Sequence, residues 1–248
     1  MKRVAIIIGN EGKMRNFLPG VSKDMTNFKK LLLSDVGGAW EENEIISSKF
    51  WSTSSLKREI DRQKSFGTDY FFIIFSGHGY AIKNNDTFFE LAENDDLALG
   101  TLKRWVQFKK TLIIADSCRK YIDIIEKAHV ESYLRTFYDN RSILRTKYRT
   151  LYDNEIDRLE AFHNTFIAST NLDECAEDTE EGGLYTKKLL DLASSVAIHG
   201  RDGVYTIKNL HEVISSQIAE ETHHRQTPQI YSTSTIQSPP FIVKPRIF

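Results

Sequence analysis

The chain has 248 residues, a formal net charge of −1 and a hydrophobic fraction of 40%. This length suits one large domain with a full core, and the near-neutral charge provides no general attraction to nucleic acid or to membranes. No apolar run approaches the roughly 20 residues that span a bilayer, and two cysteines are too few for a disulfide framework. We therefore expect a cytoplasmic protein with reduced thiols and with neither a membrane nor a nucleic acid as partner.

Strand and helix patterns alternate through the first half of the chain. Residues 70–75 and 111–115 are unbroken apolar runs rich in β-branched and aromatic residues, which is typical of strands buried on both faces of a parallel sheet. Residues 2–9 form an apolar run that is too short for a signal peptide, and we interpret it as the first strand. In chain order, the predicted elements of this half are strand 2–9, helix 20–33, strand 45–51, a helix from the Ser52 cap to residue 65, strand 70–76, hairpin 80–91, helix 99–108 and strand 111–115.

The stretch at residues 120–163 has a different composition. It is dense in charged residues and tyrosine and contains no glycine or proline. Its apolar spacing predicts one or two long charged helices, with a thin apolar stripe that docks weakly, inserted after the fourth strand. We interpret this insertion as a lid or autoinhibitory segment, as a surface for an activating partner, or as a solvated helical hairpin.

The second half of the chain completes an α/β pattern. After the insertion, the predicted elements are strand 165–169, an acidic loop at 173–181, helices 184–195 and 207–220, strand 226–231 and an extended tail from residue 238. Pro228 implies an edge position for the last strand, or the start of that strand, because proline donates no ladder hydrogen bond. The alternation predicts one domain over residues 1–248, a three-layer α/β/α sandwich of about six mostly parallel strands with a helical insertion after strand four.

Two reactive side chains follow the central strands of this predicted sheet. His78 lies between two glycines directly after one strand, and Cys118 follows Asp116 and Ser117 directly after the next. Because open α/β sheets carry their sites at the carboxyl ends of the strands, we expect the imidazole and the thiol to lie at one edge. A thiol beside an imidazole is the minimal apparatus for acyl transfer to sulfur. The pattern predicts a cysteine protease, whereas an inert turn histidine and a buried structural cysteine are the alternatives.

The two cysteines receive different interpretations. We expect a helix to begin after Cys118, and a helix N-terminus lowers the pKa of a thiol. Cys175 lies in the acidic loop, where neighbouring carboxylates disfavour a thiolate, so we interpret it as a bystander. Cys118 is therefore the predicted nucleophile.

Several segments resemble the caspase/metacaspase superfamily of cysteine peptidases, and its prokaryotic members in particular. The pair that carries the resemblance is Phe-Ser-Gly-His-Gly at 75–79 and Ile-Ala-Asp-Ser-Cys at 114–118. Supporting segments are Ile-Ile-Ile-Gly-Asn at 6–10, Leu-Pro-Gly at 18–20 with Asp24 and Asn27, Ile-Ala-Ser at 167–169, Ala-Glu-Asp at 176–178, Gly-Leu-Tyr-Thr at 183–186 and Gln-Thr-Pro at 226–228. The resemblance covers nearly the whole chain except roughly residues 120–163, and it implies a caspase-like fold.

The resemblance also implies a catalytic dyad and a substrate pocket. Cys118 would attack a peptide carbonyl, His78 would protonate the leaving amine, and the backbone N–H groups of Gly79 and Cys118 would form the oxyanion hole. Asp116 and Asp24 match the aspartates that line an acidic S1 pocket for Arg or Lys in metacaspases. Cleavage after Asp is the weaker alternative, because the arginine that caspases place near residue 18 is absent. With basic specificity, the candidate self-cleavage points of the insertion are Arg135, Arg141, Arg145 and Arg149.

The chain departs from the family in one motif and carries no clear metal site. Metacaspases usually continue the cysteine motif with His-Ser-Gly, whereas Arg119 and Lys120 follow here, which would alter the S1′ side. Asp95, Asp96 and the acidic loop suggest calcium activation, but they lack EF-hand spacing, so we expect no metal and no other cofactor. The expected partners are a protein or peptide substrate and an activating partner protein or nucleotide signal.

The leading interpretation is a regulated cysteine endopeptidase of a prokaryotic stress, cell-death or antiphage system that cleaves after Arg or Lys. The alternatives are a caspase-like protease that cleaves after Asp, a non-catalytic caspase-fold sensor or scaffold, and an acyltransferase that uses the same dyad. The presence of both His78 and Cys118 argues against a scaffold. The acidic S1 candidates argue for peptide substrates rather than for another acyl acceptor.

Overall fold

The structure, a computed structural model, describes residues 1–83, 85–121 and 144–246. Arg135 and Arg141 of the predicted insertion lie outside the described residues. In the described ranges the strands are β1 (Arg3–Asn10), β2 (Ile45–Ser48), β3 (Tyr70–Gly77), β4 (Gly79–Ala81), β5 (Thr87–Ala92), β6 (Asp95–Ala98), β7 (Lys110–Asp116), β8 (Asn164–Ala168), β9 (Asp178–Thr179), β10 (Gly182–Gly183), β11 (Gly203–Thr206), β12 (Gln229–Ser232) and β13 (Pro240–Lys244). The α-helices are α1 (Val21–Leu33), α2 (Thr53–Ser65), α3 (Leu99–Trp105), α4 (Arg145–Arg158), α5 (Leu184–His199) and α6 (Ile207–Glu221), and short 3-10 helices cover Met14–Asn16 and Glu42–Glu44.

A six-stranded sheet forms the centre of the fold, in the order β12-β8-β7-β3-β1-β2. The strands from β8 to β2 run parallel, and β12 pairs antiparallel with β8 at the edge. Every residue of β3 is buried, which explains its unbroken run of aromatic and β-branched residues. Helices cover both faces of the sheet, so the predicted three-layer α/β/α sandwich of mostly parallel strands is confirmed.

Successive residues of the central strands alternate between two hydrophobic cores. Phe72 and Ile74 of β3 face the larger core, which contains α1, α4, α5 and α6 and which we call the main core. Phe71, Ile73 and Phe75 face the core that contains α2 and α3. Because side chains alternate along a strand, a register shift of one residue would exchange the two faces. The two cores therefore fix the register of the central strands.

This register aligns the ends of β3 and β7. Ser76 is the parallel partner of Asp116. His78 and Cys118 each lie two residues beyond this pair, on adjacent strands and at the carboxyl edge of the sheet. The pairing thus brings the predicted dyad to one place.

The chain after Cys118 differs from the prediction. It is extended and runs beside β4: the N–H of Ala81 donates to the carbonyl of Lys120 over 3.1 Å, and Ala81 forms a parallel bridge with Tyr121. The helix expected directly after Cys118 is therefore wrong, because the open edge of β4 takes up the backbone groups that would otherwise begin a helix.

Helix α4 packs in the main core, although the sequence predicted only a thin apolar stripe. Tyr152 is fully buried, and its ring centroid lies 6.0 Å from that of Trp40. Arg145 donates to the carbonyl of Trp40 over 2.6 Å, and Arg149 donates to the carboxylate of Glu44 over 2.9 Å. Weak docking is therefore wrong for this half of residues 120–163, because large buried side chains and two bound guanidinium groups anchor it. Arg145 and Arg149 are unsuited as cleavage points in the folded protein.

The C-terminal tail is extended, as predicted, and part of it forms the strand β13. β13 pairs antiparallel with β11, with Val204 opposite Val243, and the side chains of Phe241 and Ile242 are buried in the main core. The sequence did not predict this pairing, because the two strands are short and far apart in the chain. The tail is thus part of the structure that supports α4 and α5.

Truncation of Tyr152 tests how firmly α4 is held. Removing a fully buried aromatic side chain leaves a cavity, so we expect Tyr152→Ala to lower the free energy of unfolding by about 3–5 kcal/mol. Tyr148→Ala is the matched control on the same helix, because Tyr148 is only half-buried and should cost clearly less. Urea titration followed by circular dichroism measures both variants. Equal shifts of the two midpoints would contradict the packing of α4 in the main core.

Candidate active site

His78 lies between β3 and β4, and its ring orientation is fixed by a backbone carbonyl. Its Nε2 donates to the carbonyl oxygen of Asn16 over 2.5 Å. A carbonyl only accepts, so Nε2 carries the proton and Nδ1 is the basic nitrogen of the neutral ring. The sequence offered no third member for the dyad. In the structure a main-chain carbonyl contacts the imidazole, and no side-chain pattern can reveal such a contact.

The loop that presents Asn16 is shaped by the end of β1. The side chain of Asn10 donates to the carbonyl of Glu90 over 2.8 Å and accepts from the N–H of Gly12 over 3.0 Å. Gly12 has φ of +68°, and a Cβ there would lie 2.2 Å from the Asn16 carbonyl oxygen and 2.6 Å from Nε2 of His78. Only glycine leaves room for the hydrogen bond between the carbonyl and the imidazole.

Cys118 lies just past the end of β7 and is half-buried. Its Sγ contacts the carbonyl oxygen of Ala176 at 3.9 Å. The hydrogen bond with the Cys175 thiol, and then burial, raise the pKa of the Cys118 thiol. This raised pKa is the opposite of the lowered pKa expected for the predicted nucleophile at a helix N-terminus. Cys175, interpreted from the sequence as a bystander, is in contact with the predicted nucleophile.

Two backbone N–H groups lie near the predicted dyad, those of Gly79 and Cys118. Glu90 N–H donates to the carbonyl of His78, so Gly79 occupies a non-hydrogen-bonded position of the β4–β5 ladder and its N–H points away from β5. That is the side on which the chain after Cys118 runs. Within the described ranges, the N–H of Cys118 has no hydrogen-bond partner. A Cβ on Gly79 would lie 2.9 Å from Oγ of Ser117, which shows how closely the two segments approach.

Arg119 is a buried anchor. Its Nε donates to Oγ1 of Thr87 over 3.0 Å, and its Nη1 donates to the carbonyl of Thr170 over 3.2 Å. Its N–H donates to the carbonyl of Glu174 over 2.9 Å. The departure from the family's His-Ser-Gly motif thus gives the segment after Cys118 a fixed position.

Asp24 and Asp116 are both buried and close to one another. Oδ2 of Asp24 accepts from Oγ of Ser76 over 2.6 Å and from the N–H of Gly183 over 3.2 Å, whereas its Oδ1 has no partner among the described residues. Oδ2 of Asp116 accepts from the N–H of Thr186 over 2.9 Å. Burial, and then repulsion from Asp116, raise the pKa of Asp24 well above its ordinary value. Burial also raises the pKa of Asp116.

A third carboxyl group, Asp178, adjoins this pair. Its Oδ2 accepts from the N–H of Gly20, at the start of α1, over 3.3 Å, and its charge contributes to the raised pKa of Asp24. We call Asp24, Asp116 and Asp178 the acidic cluster. The sequence contained Asp178 in the Ala-Glu-Asp segment at 176–178, but its place beside Asp24 depends on the β9–β10 hairpin.

The hairpin passes over the acidic cluster on two glycines. A Cβ at Gly182 would lie 2.1 Å from Oδ1 of Asp24, and one at Gly183 would lie 2.3 Å from Oδ2 of Asp116. Gly182 also has φ of +119°, a conformation that favours glycine. A side chain at either position would fill the space beside the two carboxyl groups.

The residues considered for calcium have other contacts. Asp95 accepts from the N–H of Thr53 over 2.9 Å, at the start of α2, and Asp96 accepts from the hydroxyl of Tyr80 over 2.7 Å. In the part of the chain that the structure describes, no group of three or more His, Cys, Asp or Glu side chains is arranged to hold a metal ion. No helix in the same ranges has both the length and the apolar character of a membrane span.

The sequence identifies the family. The chain matches the family model of the caspase domain over residues 2–238. It therefore belongs to the caspase domain family, whose members are cysteine peptidases. The resemblance found from the motifs is confirmed. No curated protein sequence matches the chain significantly.

Solved structures share the fold at low sequence identity. Caspase-1 from Spodoptera frugiperda is 12% identical with a TM-score of 0.63, and the match covers 100% of this chain and 92% of that one. A protein from Geobacter sulfurreducens is 15% identical with a TM-score of 0.59, over 99% of this chain and 100% of that one. At these identities the likeness shows the fold alone.

The raised pKa of Asp24 makes a prediction about stability. An acid whose pKa is raised by folding destabilises the native state once the pH exceeds its ordinary value near 4, because the fold disfavours the ionised form. We expect Asp24→Asn to raise Tm at pH 7 by about 2–4 °C, on the order of 1 kcal/mol. The gain should shrink as the pH falls toward 4. Thermal unfolding of Asp24→Asn beside Asp157→Asn, which changes an exposed carboxyl group, measures the effect. A gain in Tm that is independent of pH would show that the ionisation of Asp24 does not destabilise the native state.

Proposed function

We propose that this protein is a cysteine endopeptidase in which Cys118 attacks the carbonyl carbon of a peptide bond and His78 transfers the proton. The observation that carries the proposal is the hydrogen bond from Nε2 of His78 to the Asn16 carbonyl, at the edge of the sheet where Cys118 lies two residues past the end of β7. This bond directs the basic Nδ1 away from Asn16. The substrate class is a protein or peptide, and no cofactor is required.

The proton follows a simple course in this mechanism. Nδ1 of His78 accepts the thiol proton as Sγ of Cys118 forms its bond to the carbonyl carbon, and it returns that proton to the leaving amine. The raised pKa of the thiol makes this general base necessary, because little thiolate is present beforehand. Water then hydrolyses the thioester, and the same imidazole takes a proton from it.

The N–H groups of Gly79 and Cys118 are the proposed oxyanion hole. Gly79 directs its N–H away from β5, and the N–H of Cys118 has no partner in the described part of the chain. Donors in such positions stabilise the tetrahedral intermediate, and losing one in a comparable site costs about 2.7–4 kcal/mol. Arg119 acts as a positioning residue, because its buried guanidinium holds the segment that carries the Cys118 N–H.

Removal of either dyad residue tests the mechanism. We expect Cys118→Ala and His78→Ala each to abolish hydrolysis of a fluorogenic peptide with Arg at P1, because one loses the nucleophile and the other its base. Cys175→Ser is the matched control in reducing buffer, since it removes the second thiol and leaves the dyad intact. Circular dichroism checks the folding of all three variants. Hydrolysis retained by Cys118→Ala would overturn the mechanism.

We propose that the acidic cluster binds a basic P1 side chain. Asp24 and Asp116 accept hydrogen bonds from hydroxyl and backbone N–H groups rather than from a cation. Oδ1 of Asp24 has no partner among the described residues, although it is buried. A guanidinium or ammonium group from the substrate would satisfy this oxygen and relieve the repulsion within the acidic cluster. The caspase-like alternative, cleavage after Asp, would bring a fourth carboxylate to the three of the acidic cluster and would increase their repulsion.

Substitution of Asp116 tests the specificity. We expect Asp116→Asn to lower kcat/KM for peptides with P1 Arg or Lys at least tenfold, about 1.4 kcal/mol. Glu177→Gln is the control, because Glu177 is the neighbour of Asp178 in the acidic cluster but is itself paired with Arg225 at 3.0 Å. A panel of P1 Arg, Lys and Asp peptides measures the preference of the unaltered protein. A profile dominated by P1 Asp would refute the assignment.

We propose a regulated role for this peptidase, in a prokaryotic stress, cell-death or antiphage system and with a partner protein or a nucleotide as the activating signal. This rests on the resemblance to prokaryotic family members alone. A nucleotide panel added to the peptide assay tests one class of signal directly. If no peptide is cleaved while Cys118 still reacts with an alkylating reagent, a non-catalytic scaffold or an acyltransferase becomes the better interpretation.

A further inference from the structure

The second cysteine of the chain lies against the first. The thiols of Cys118 and Cys175 are in hydrogen-bonding contact. Residues on either side of Cys175 contact the Cys118 segment: the carbonyl of Glu174 accepts from the N–H of Arg119 over 2.9 Å, and the carbonyl of Ala176 lies 3.9 Å from Sγ of Cys118. Cys175 is therefore held beside Cys118 by the backbone as well as by its own side chain.

The loop that carries Cys175 is fixed from the opposite side too. The carboxylate of Glu174 accepts from the N–H of Thr227 over 2.6 Å, and the N–H of Glu177 donates to the side chain of Gln226 over 2.9 Å. Two thiols held in contact by a braced backbone need little movement to form a disulfide, whose geometry is otherwise hard to reach. Cys175 is also exposed, so a small oxidant reaches this pair from solvent.

We propose that Cys118 and Cys175 form an oxidation site, at which a hydroperoxide converts the two thiols into a disulfide and reversibly blocks the nucleophile. The role of Cys118 as nucleophile rests on the proposed function. The contact between the two thiols does not.

The oxidation proceeds in two balanced steps. In the first, the Cys118 sulfur, deprotonated by His78, attacks hydrogen peroxide: an S–O bond forms, the O–O bond breaks, and the hydroxide that leaves takes up a proton to become water. In the second, the Cys175 sulfur attacks the resulting sulfenic acid of Cys118: the S–S bond forms, the S–O bond breaks, and a second water leaves with the Cys175 proton. Two thiols are oxidised, and one peroxide is reduced to two waters.

The arrangement protects the nucleophile from irreversible loss. A sulfenic acid without a partner thiol is oxidised further to the sulfinic and sulfonic acids, which thiol reductants do not reverse. Cys175 intercepts the sulfenic acid first. The loop that carries Cys175 thus gives the protein a disulfide-bonded, inactive form, and a reductant returns this form to the active one.

The test treats the full-length protein with hydrogen peroxide and maps its peptides by mass spectrometry without reduction. The unaltered protein should yield a peptide pair joined through Cys118 and Cys175, two hydrogens lighter than the separate peptides. Its peptidase activity should be lost and then fully recovered in dithiothreitol. Cys175→Ser should show normal activity in reductant but lose it permanently after peroxide, with two or three oxygens added to the Cys118 peptide.

The two readouts separate this proposal from the proposed function. If the unaltered protein shows no peptidase activity even in reductant, the proposed function fails, while the joined peptide still decides whether the disulfide forms. Peroxide treatment that gives only bridges between molecules, or no bridge, would overturn the oxidation site. Full recovery of Cys175→Ser in dithiothreitol would equally overturn the protective role of Cys175.

Discussion

β3 and β7 are held side by side in parallel, with Ser76 opposite Asp116, and both halves of the candidate site depend on this pairing. Two residues beyond the pair lie His78 and Cys118, which form the proposed dyad. At the pair itself, Ser76 donates to Asp24 while Asp116 completes the acidic cluster. One register therefore sets the distance between the proposed chemistry and the proposed P1 pocket. The two hydrophobic cores secure that register, because β3 contributes side chains to both.

The acidic cluster lowers the stability of the fold, and the proposed binding of a substrate cation depends on the same carboxyl groups. Asp24 and Asp116 share a buried corner beside Asp178, and the raised pKa values of Asp24 and Asp116 record that the fold disfavours their ionised forms. An internal lysine or arginine would relieve this repulsion, but it would also fill the space proposed for a substrate cation. The stability that this corner lacks must come from elsewhere, and the packing of α4 and β13 in the main core supplies part of it.

The sequence predicted the elements that have a strong local signal and missed those that depend on distant contacts. β3 and β7 were visible as apolar runs, and the motifs at their ends pointed to His78 and Cys118. Local patterns did not show that the Asn16 carbonyl would orient the imidazole, because backbone atoms have no residue type. The apolar spacing also predicted only weak packing of α4, because it did not show that the side chain of Tyr152 is fully buried. The contact between Cys118 and Cys175 arises only when the loop after β8 folds back on the end of β7.

The pairing of β7 with β8 has a consequence for the continuity of the backbone. The two strands bind each other from Thr111 opposite Asn164 to Ala115 opposite Ala168, although the chain between them passes through residues 122–143. A single nick in that stretch would leave two fragments that share one sheet and one core. Separating them would require the centre of the domain to unfold. The nicked molecule would carry Cys118 on one fragment and Asp178 on the other, with the candidate site still assembled from both.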